Sequence, residues 1–403
     1  MNILLISSIY PLPSANNQGT KVCHYFAKEW VKQGHSVQVI HIQAVYPRPL
    51  YWIAGLCKSL IASRTGAIVY TQRDKGGIYE MDGVQVMRLP VFKPIPHGAF
   101  AKKSIKKSIK KIIEQNEKIK FTPDLILAHF SNPQIELLSI LKWFYPNVKN
   151  ALIVHGDIEL TKKVYGSRLL NLMNSIDVWG FRNKGDKQKF ATQISQVDKS
   201  FMCYSGIPTE YLAQINDRKF EKGVRSFAYV GGMIERKHPF AVIDALQKTS
   251  LQGEYQIDFV GKGHLLEALR DKIDNLGIVD KVTIHGSIPR EEIISLYDRV
   301  DCMVMISAGE VYGLVYLEAM ARGCITIASK GEGFDGVIED GHNGFLCEAG
   351  NSDELAEIIE KINQMPSEEL RNISINAWNT ARNLTDALAA ERYLADVLEC
   401  IKE

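Results

Sequence analysis

Short apolar runs alternate along the chain with stretches whose apolar residues recur every three to four positions, a pattern that predicts strands and helices in succession. Residues 2–9 form an apolar run without polar alternation, as in a parallel strand covered on both faces, and pass into a loop rich in Pro, Asn and Gly. A helix over 20–33, closed by Gly34, and a strand over 37–42 complete a βαβ unit. Further strands are predicted at 84–89, 125–129, 151–154, 175–180 and 200–204. After the polar stretch 214–222 a second series begins, with strands at 227–230, 256–260, 282–285, 302–305 and 325–328. Helices at 239–247, 265–276, 290–297 and 316–321 lie between them. The expectation is α/β: two Rossmann-like, doubly wound domains, 1–208 and 209–383, with a last helix over 384–403 packing back on the first. Open parallel sheets bind ligands at the carboxyl ends of their strands, so a cleft between the domains is the expected site.

Composition narrows the class. At 46% hydrophobic and 23% charged, the 403 residues have the make-up of a globular chain. A formal charge of +2 supplies no global field to hold nucleic acid, so any basic surface must be local. Seven dispersed cysteines without a C-x-x-C pair read as reduced thiols of a cytoplasmic protein. The longest mostly apolar stretch, 50–62, contains Lys58 and falls short of the about 20 residues a membrane span needs. Neither a transmembrane helix nor a signal peptide is expected.

Candidate chemistry concentrates in 306–323, ISAGEVYGLVYLEAMARG, directly after a predicted strand. Glu310 stands in a Gly-flanked loop and Glu318 in the helix that the loop opens. Carboxylates at this spacing can accept hydrogen bonds from sugar hydroxyls, while the backbone N–H groups of the loop face an anion. Taken singly, each Glu reads as a solvated surface residue; the pair within this whole string does not.

This string, with its E-x(7)-E spacing and Gly313 after an aromatic, resembles the retaining glycosyltransferases of family 4, whose fold is GT-B. The resemblance runs through YVGGMIERKHP (229–239), DFVGKGH (258–264), HGSIPREEIISLY (285–297) and GEGFDGVIEDGHNGFL (331–346), and continues more weakly into the first half. It implies that Glu310 holds donor-sugar hydroxyls and Glu318 the nucleotide ribose, with the backbone of Tyr312, Gly313, Leu314 and Val315 against sugar and diphosphate. Lys237 matches the family's diphosphate lysine. Gly232 stands where the family commonly has an arginine, and Arg236 is the neighbouring cation that could replace it. His155, in a His-Gly pair after a strand, matches the family's donor-sugar histidine, and His129 has a weaker parallel. Asp157 could orient the imidazole or contact the acceptor. In the N-terminal glycine loop only Gly19 carries over, because Gln18 replaces its partner. Ile288 would offer its backbone to the base.

Residues 101–120 carry eight lysines and two glutamates, a local +6 that leaves the rest of the chain net acidic. At helical spacing Ile105, Ile109 and Ile112 make one stripe flanked by Lys102, Lys103, Lys106, Lys107, Lys110 and Lys111. That is the pattern of a basic helix lying on anionic lipid, and equally of a core-packed helix with a solvated lysine face. Tyr51, Trp52, Ile53, Leu56 and Leu60 near Arg48 add aromatic and apolar groups suited to a bilayer interface or to a buried loop.

The resemblance thus implies a retaining, metal-independent hexosyltransferase without a cofactor. Its donor is a nucleotide sugar, UDP-linked by preference with GDP-mannose second, and its acceptor a polysaccharide or lipid-linked glycan. A peripheral location on the inner face of the cytoplasmic membrane goes with that acceptor, and no nucleic-acid partner is expected. Two alternatives stay open: a nucleotide-sugar 2-epimerase of the same fold, and a non-catalytic subunit of a partner transferase.

Overall fold

The computed structural model describes residues 1–13, 21–58, 69–212, 220–251 and 254–402. Strand β1 (Asn2–Ser7) lies at the centre of the first sheet with both faces covered. Leu4 and Ile6 enter one core cluster, Ile3 and Leu5 the other, which is why the run has no polar alternation. Around it stand β2 (Ser36–Val45), β3 (Gly77–Met81), β4 (Val84–Phe92), β5 (Leu125–His129), β6 (Lys149–Val154), β7 (Val178–Phe181) and β8 (Ser200–Met202), in the order β3-β4-β2-β1-β5-β6-β7-β8. Every pairing is parallel except the β3–β4 hairpin. The second sheet is wholly parallel, in the order β11-β10-β9-β12-β13-β14. Its strands are β9 (Ser226–Val230), β10 (Gln256–Val260), β11 (Val282–Gly286), β12 (Cys302–Val304), β13 (Ile325–Ser329) and β14 (Phe345–Cys347). The architecture is the pair of doubly wound domains that the alternation implies.

The chain passes between domains twice, and the crossings touch. Ile207 N–H donates to Leu384 O at 3.0 Å and Asp386 N–H to Ile207 O at 2.8 Å. Gly206 permits the approach, since a Cβ there would sit 2.3 Å from the carbonyl carbon of Thr385. The last helix, Asp386–Lys402, then lies on the first domain, where Ala390, Tyr393 and Val397 join Phe26 and Trp30 in one cluster. Trp30 Nε1–H donates to the Ala390 carbonyl at 2.8 Å.

In the basic helix Lys102–Lys118, Ile105, Ile109 and Ile112 are buried in the core. This corrects one expectation: the isoleucine stripe packs on protein and is not available to enter lipid. The six lysines from Lys102 to Lys111 remain exposed. The helix Arg48–Leu56 has no buried residue, and it leaves Trp52 71% and Leu56 69% exposed. Among the described residues, no helix is long and apolar enough to cross a membrane. Among the described residues no two cysteines are joined in a disulfide.

Candidate functional site

The parallel strands β5 and β6 deliver two imidazoles side by side at their carboxyl ends, His129 as the last residue of β5 and His155 just after β6. His129 Nδ1 and His155 Nε2 are 2.9 Å apart, and the Tyr393 hydroxyl of the last helix is 3.1 Å from His129 Nε2. Burial holds both imidazoles well below the ordinary histidine range, and the charge of Arg182 adds to the effect, so both are neutral near pH 7. Hydrogen-bond accounting assigns the tautomers. A buried tyrosine O–H needs an acceptor, which makes Tyr393 the donor to His129 Nε2 and His129 Nδ1–H the donor to His155 Nε2. His155 Nδ1–H is left as the group His155 can offer to a ligand. Phe130 stacks on the His155 ring at 4.1 Å. Asp157 does not turn the imidazole; its carboxylate accepts from Ser131 N–H and Oγ–H at 2.9 Å.

Facing these from the second domain is the loop between β12 and the helix Leu314–Met320. Glu310 pairs with Lys237 and accepts from Ser307 Oγ at 3.3 Å. The backbone N–H of Glu310 donates to Glu332 Oε2 at 2.9 Å. Lys237 ends the turn Glu235–Lys237 and is 9% exposed. Burial lowers its pKa while Glu310 pulls the other way. Gly313 turns the chain at φ 83°, where a Cβ would meet the Tyr316 ring at 2.4 Å. His155, Lys237, Glu310 and the backbone from Tyr312 to Val315 line one cavity of about 390 Å³ between the domains.

That cavity also holds Arg182, which sequence reasoning missed. It is 2% exposed and donates to Cys203 O and Ser205 Oγ, with its guanidinium 4.9 Å from the Tyr312 ring centre. Among the described residues it has no carboxylate partner within ion-pair distance. A buried cation left in that condition is costly unless an anion completes it. The only signal in the sequence is an arginine directly after an apolar run, which is too common to single out.

A second cavity of about 240 Å³ shares Glu310 and Val311 with the first and adds Asn183, Asp186 and Glu332. Burial raises Asp186 to about 6, Asn183 opposes this, and the charge of Glu332 adds to it. Asn183 Nδ2 bridges the domains by donating to Val311 O at 2.8 Å.

The remaining expected residues that are described line neither of these two cavities. Glu318 is 6% exposed and paired with Arg290 at 2.6 Å; burial raises its pKa against that pairing. Arg290 in turn lies over the Tyr211 ring and reaches Tyr25 of the first domain at 3.4 Å. Arg236 is exposed and points Nη1 at Gly309 O, 3.5 Å away. Gly232 accepts from the Tyr229 hydroxyl at 3.0 Å through its carbonyl. Ile288 packs against the second domain's core. Gly19 falls outside the described residues.

Residues 213–380 match the family described as Glycosyl transferases group 1. Over 263 residues the chain is 27% identical to an uncharacterized glycosyltransferase of Methanocaldococcus jannaschii, covering 62% of this chain and 67% of that protein. A 137-residue stretch is 32% identical to N-acetyl-alpha-D-glucosaminyl L-malate synthase of Bacillus anthracis, but spans only 34% of this chain and 35% of that relative. Among solved structures, Anabaena HepE in complex with UDP and glucose superposes with a TM-score of 0.64 at 19% identity over 99% of each chain. Sucrose-phosphate synthase from Thermosynechococcus elongatus does so with a TM-score of 0.68 at 15% identity over 100% of each chain. The fold is therefore GT-B.

Proposed function

We propose that this chain, whose residues 213–380 match the glycosyl transferases group 1 family, transfers a hexosyl unit from a nucleotide sugar to a polysaccharide or lipid-linked glycan with retention at the anomeric carbon. The observation that carries this reading is the cavity holding Lys237 paired with Glu310, Arg182, which has no carboxylate partner among the described residues, and neutral His155. Two cations suit a diphosphate, and an ionised carboxylate suits sugar hydroxyls. The imidazole adds an N–H donor whose direction is set from behind by His129 and Tyr393.

In this reading the bond from the anomeric carbon to the diphosphate oxygen breaks while Arg182 and Lys237 stabilise the departing charge. The acceptor hydroxyl bonds to the same face of that carbon, and its proton passes to the leaving diphosphate. Arg182 takes the part that Gly232 leaves unfilled, in place of exposed Arg236. The charge is met by side chains, so a divalent ion is not required. Glu318 holds the ribose by its second carboxylate oxygen or by exchanging Arg290 for ligand. A UDP donor is favoured because HepE, of the same fold, was solved with UDP and glucose. The exposed lysines and the Trp52 and Leu56 surface support a lipid-linked acceptor at an anionic cytoplasmic leaflet. The test is UDP release from UDP-sugars by the purified protein. Release by wild type and its loss in folded Arg182→Met and Lys237→Met variants support the reading. Absence of release with every UDP- and GDP-sugar, with or without acceptor, would leave the non-catalytic alternative.

A further inference from the structure

A third cavity of about 290 Å³ lies between the ends of β2 and β4 and the basic helix, away from the donor site. Apolar Val45, Leu89 and Phe92 line it together with three cations, Arg73, Lys107 and Lys111. Lys107 and Lys111 are one helical turn apart on the same side, a like-charge arrangement that repels unless an anion sits between them. None of these three cations has an ion-pair partner among the described residues. The single lining carboxylate, Asp74, is already engaged, by buried Arg88 at 2.7 Å and by Gly76 N–H at 2.7 Å. The cavity therefore presents an uncancelled charge near +3 beside the apolar side chains of Val45, Leu89 and Phe92. Ser104 Oγ accepts from Phe92 N–H at 2.9 Å, which leaves its own O–H to donate.

We infer that this cavity is a binding site for a phosphoryl group carried by the acceptor. A phosphate offers a charge of up to −2 and several acceptor oxygens to three cations and a hydroxyl, a match no neutral sugar makes. Its position fits that task. In the order β4-β2-β1-β5 the cavity lies two to three strand spacings, about 10 to 14 Å, from the strand ending in His129, and parallel strands bring both to the same edge of the sheet. A phosphate held here would leave the sugar end of an acceptor free to reach Glu310 and His155. The inference rests on the proposed transferase reading only in calling the ligand an acceptor. The phosphoryl group belongs either to a lipid headgroup or to a free phosphorylated molecule.

The test compares wild type with Lys107→Gln/Lys111→Gln and with a charge-matched control, Lys162→Gln/Lys163→Gln, whose lysines are exposed elsewhere on the first domain. Each is titrated with sn-glycerol 3-phosphate and mixed with phosphatidylcholine vesicles with and without phosphatidylglycerol. Expected is at least a tenfold loss of binding in the cavity variant and none in the control. Loss confined to glycerol phosphate identifies a free phosphorylated acceptor, and loss that includes phosphatidylglycerol vesicles identifies a lipid phosphate. Equal binding by all three proteins, or equal loss in cavity variant and control, overturns the site. UDP release from UDP-sugars is measured in parallel. Its absence in every protein would refute the transferase reading while the phosphate titrations still decide the cavity.

Discussion

Tyr393, in the last helix, reaches back 264 residues to place its hydroxyl 3.1 Å from His129 Nε2, and so sets which nitrogen of His155 bears the proton. The last helix thereby acts on the cavity between the domains without lining it. Tyr393→Phe keeps the packing and removes one hydrogen bond worth about 1 kcal/mol, or about fivefold in rate. The expected result is a kcat lowered by about that factor with little change in KM for the donor. A merely structural tyrosine would move the melting temperature and leave kcat alone.

Arg182 offers a sharper test of how the diphosphate is held. Replacing it with Met should weaken UDP binding by about tenfold to a hundredfold, as expected for a charge-assisted contact of about 1.5 to 3 kcal/mol. Arg182→Lys should retain part of the affinity, because charge survives while the planar fork is lost. Isothermal titration on proteins that still melt cooperatively checks both.

How much of this was legible in the sequence differs by residue. β1 and the β5–β9 series were readable because continuous apolar runs mark strands buried on both faces. β3 was not, because it is an edge strand with no buried residue. Glu310, Lys237 and His155 stand in contiguous motifs, and the structure gathers them around one cavity. Arg182 and Tyr393 stand in no motif and matter only through contacts distant in sequence. The Ile105 stripe showed an amphipathic helix correctly, but apolar periodicity cannot tell a protein core from a bilayer, and here the core takes it.

Asp386, at the second domain crossing, carries a pH-dependent cost. Burial, with Glu29 adding repulsion, raises its pKa to about 7. The folded state therefore holds a proton that the unfolded chain has released above about pH 4, so this residue's contribution declines as pH rises through about 7. Asp386→Asn cannot ionise. Its melting temperature should exceed that of wild type at pH 8, and the advantage should vanish near pH 4. A constant difference across that range would contradict the assignment.

Metal dependence is decided by chelation. If Arg182 and Lys237 meet the leaving diphosphate as proposed, turnover should persist in EDTA at its full rate. Activity lost in EDTA and restored by Mg²⁺ or Mn²⁺ would require a different account of the leaving group.

The central claim is that the Lys237–Glu310 cavity binds the sugar of a nucleotide donor through the Glu310 carboxylate. Removing that charge also leaves Lys237 without its buried partner, so Glu310→Gln is first checked for cooperative melting. The direct measurement is then single-turnover UDP release from a UDP-hexose by wild type and by folded Glu310→Gln. The account predicts release by wild type and a fall of at least tenfold in the variant, matching loss of a charge-assisted bond of about 1.5 kcal/mol or more. Release at the wild-type rate by folded Glu310→Gln would contradict it.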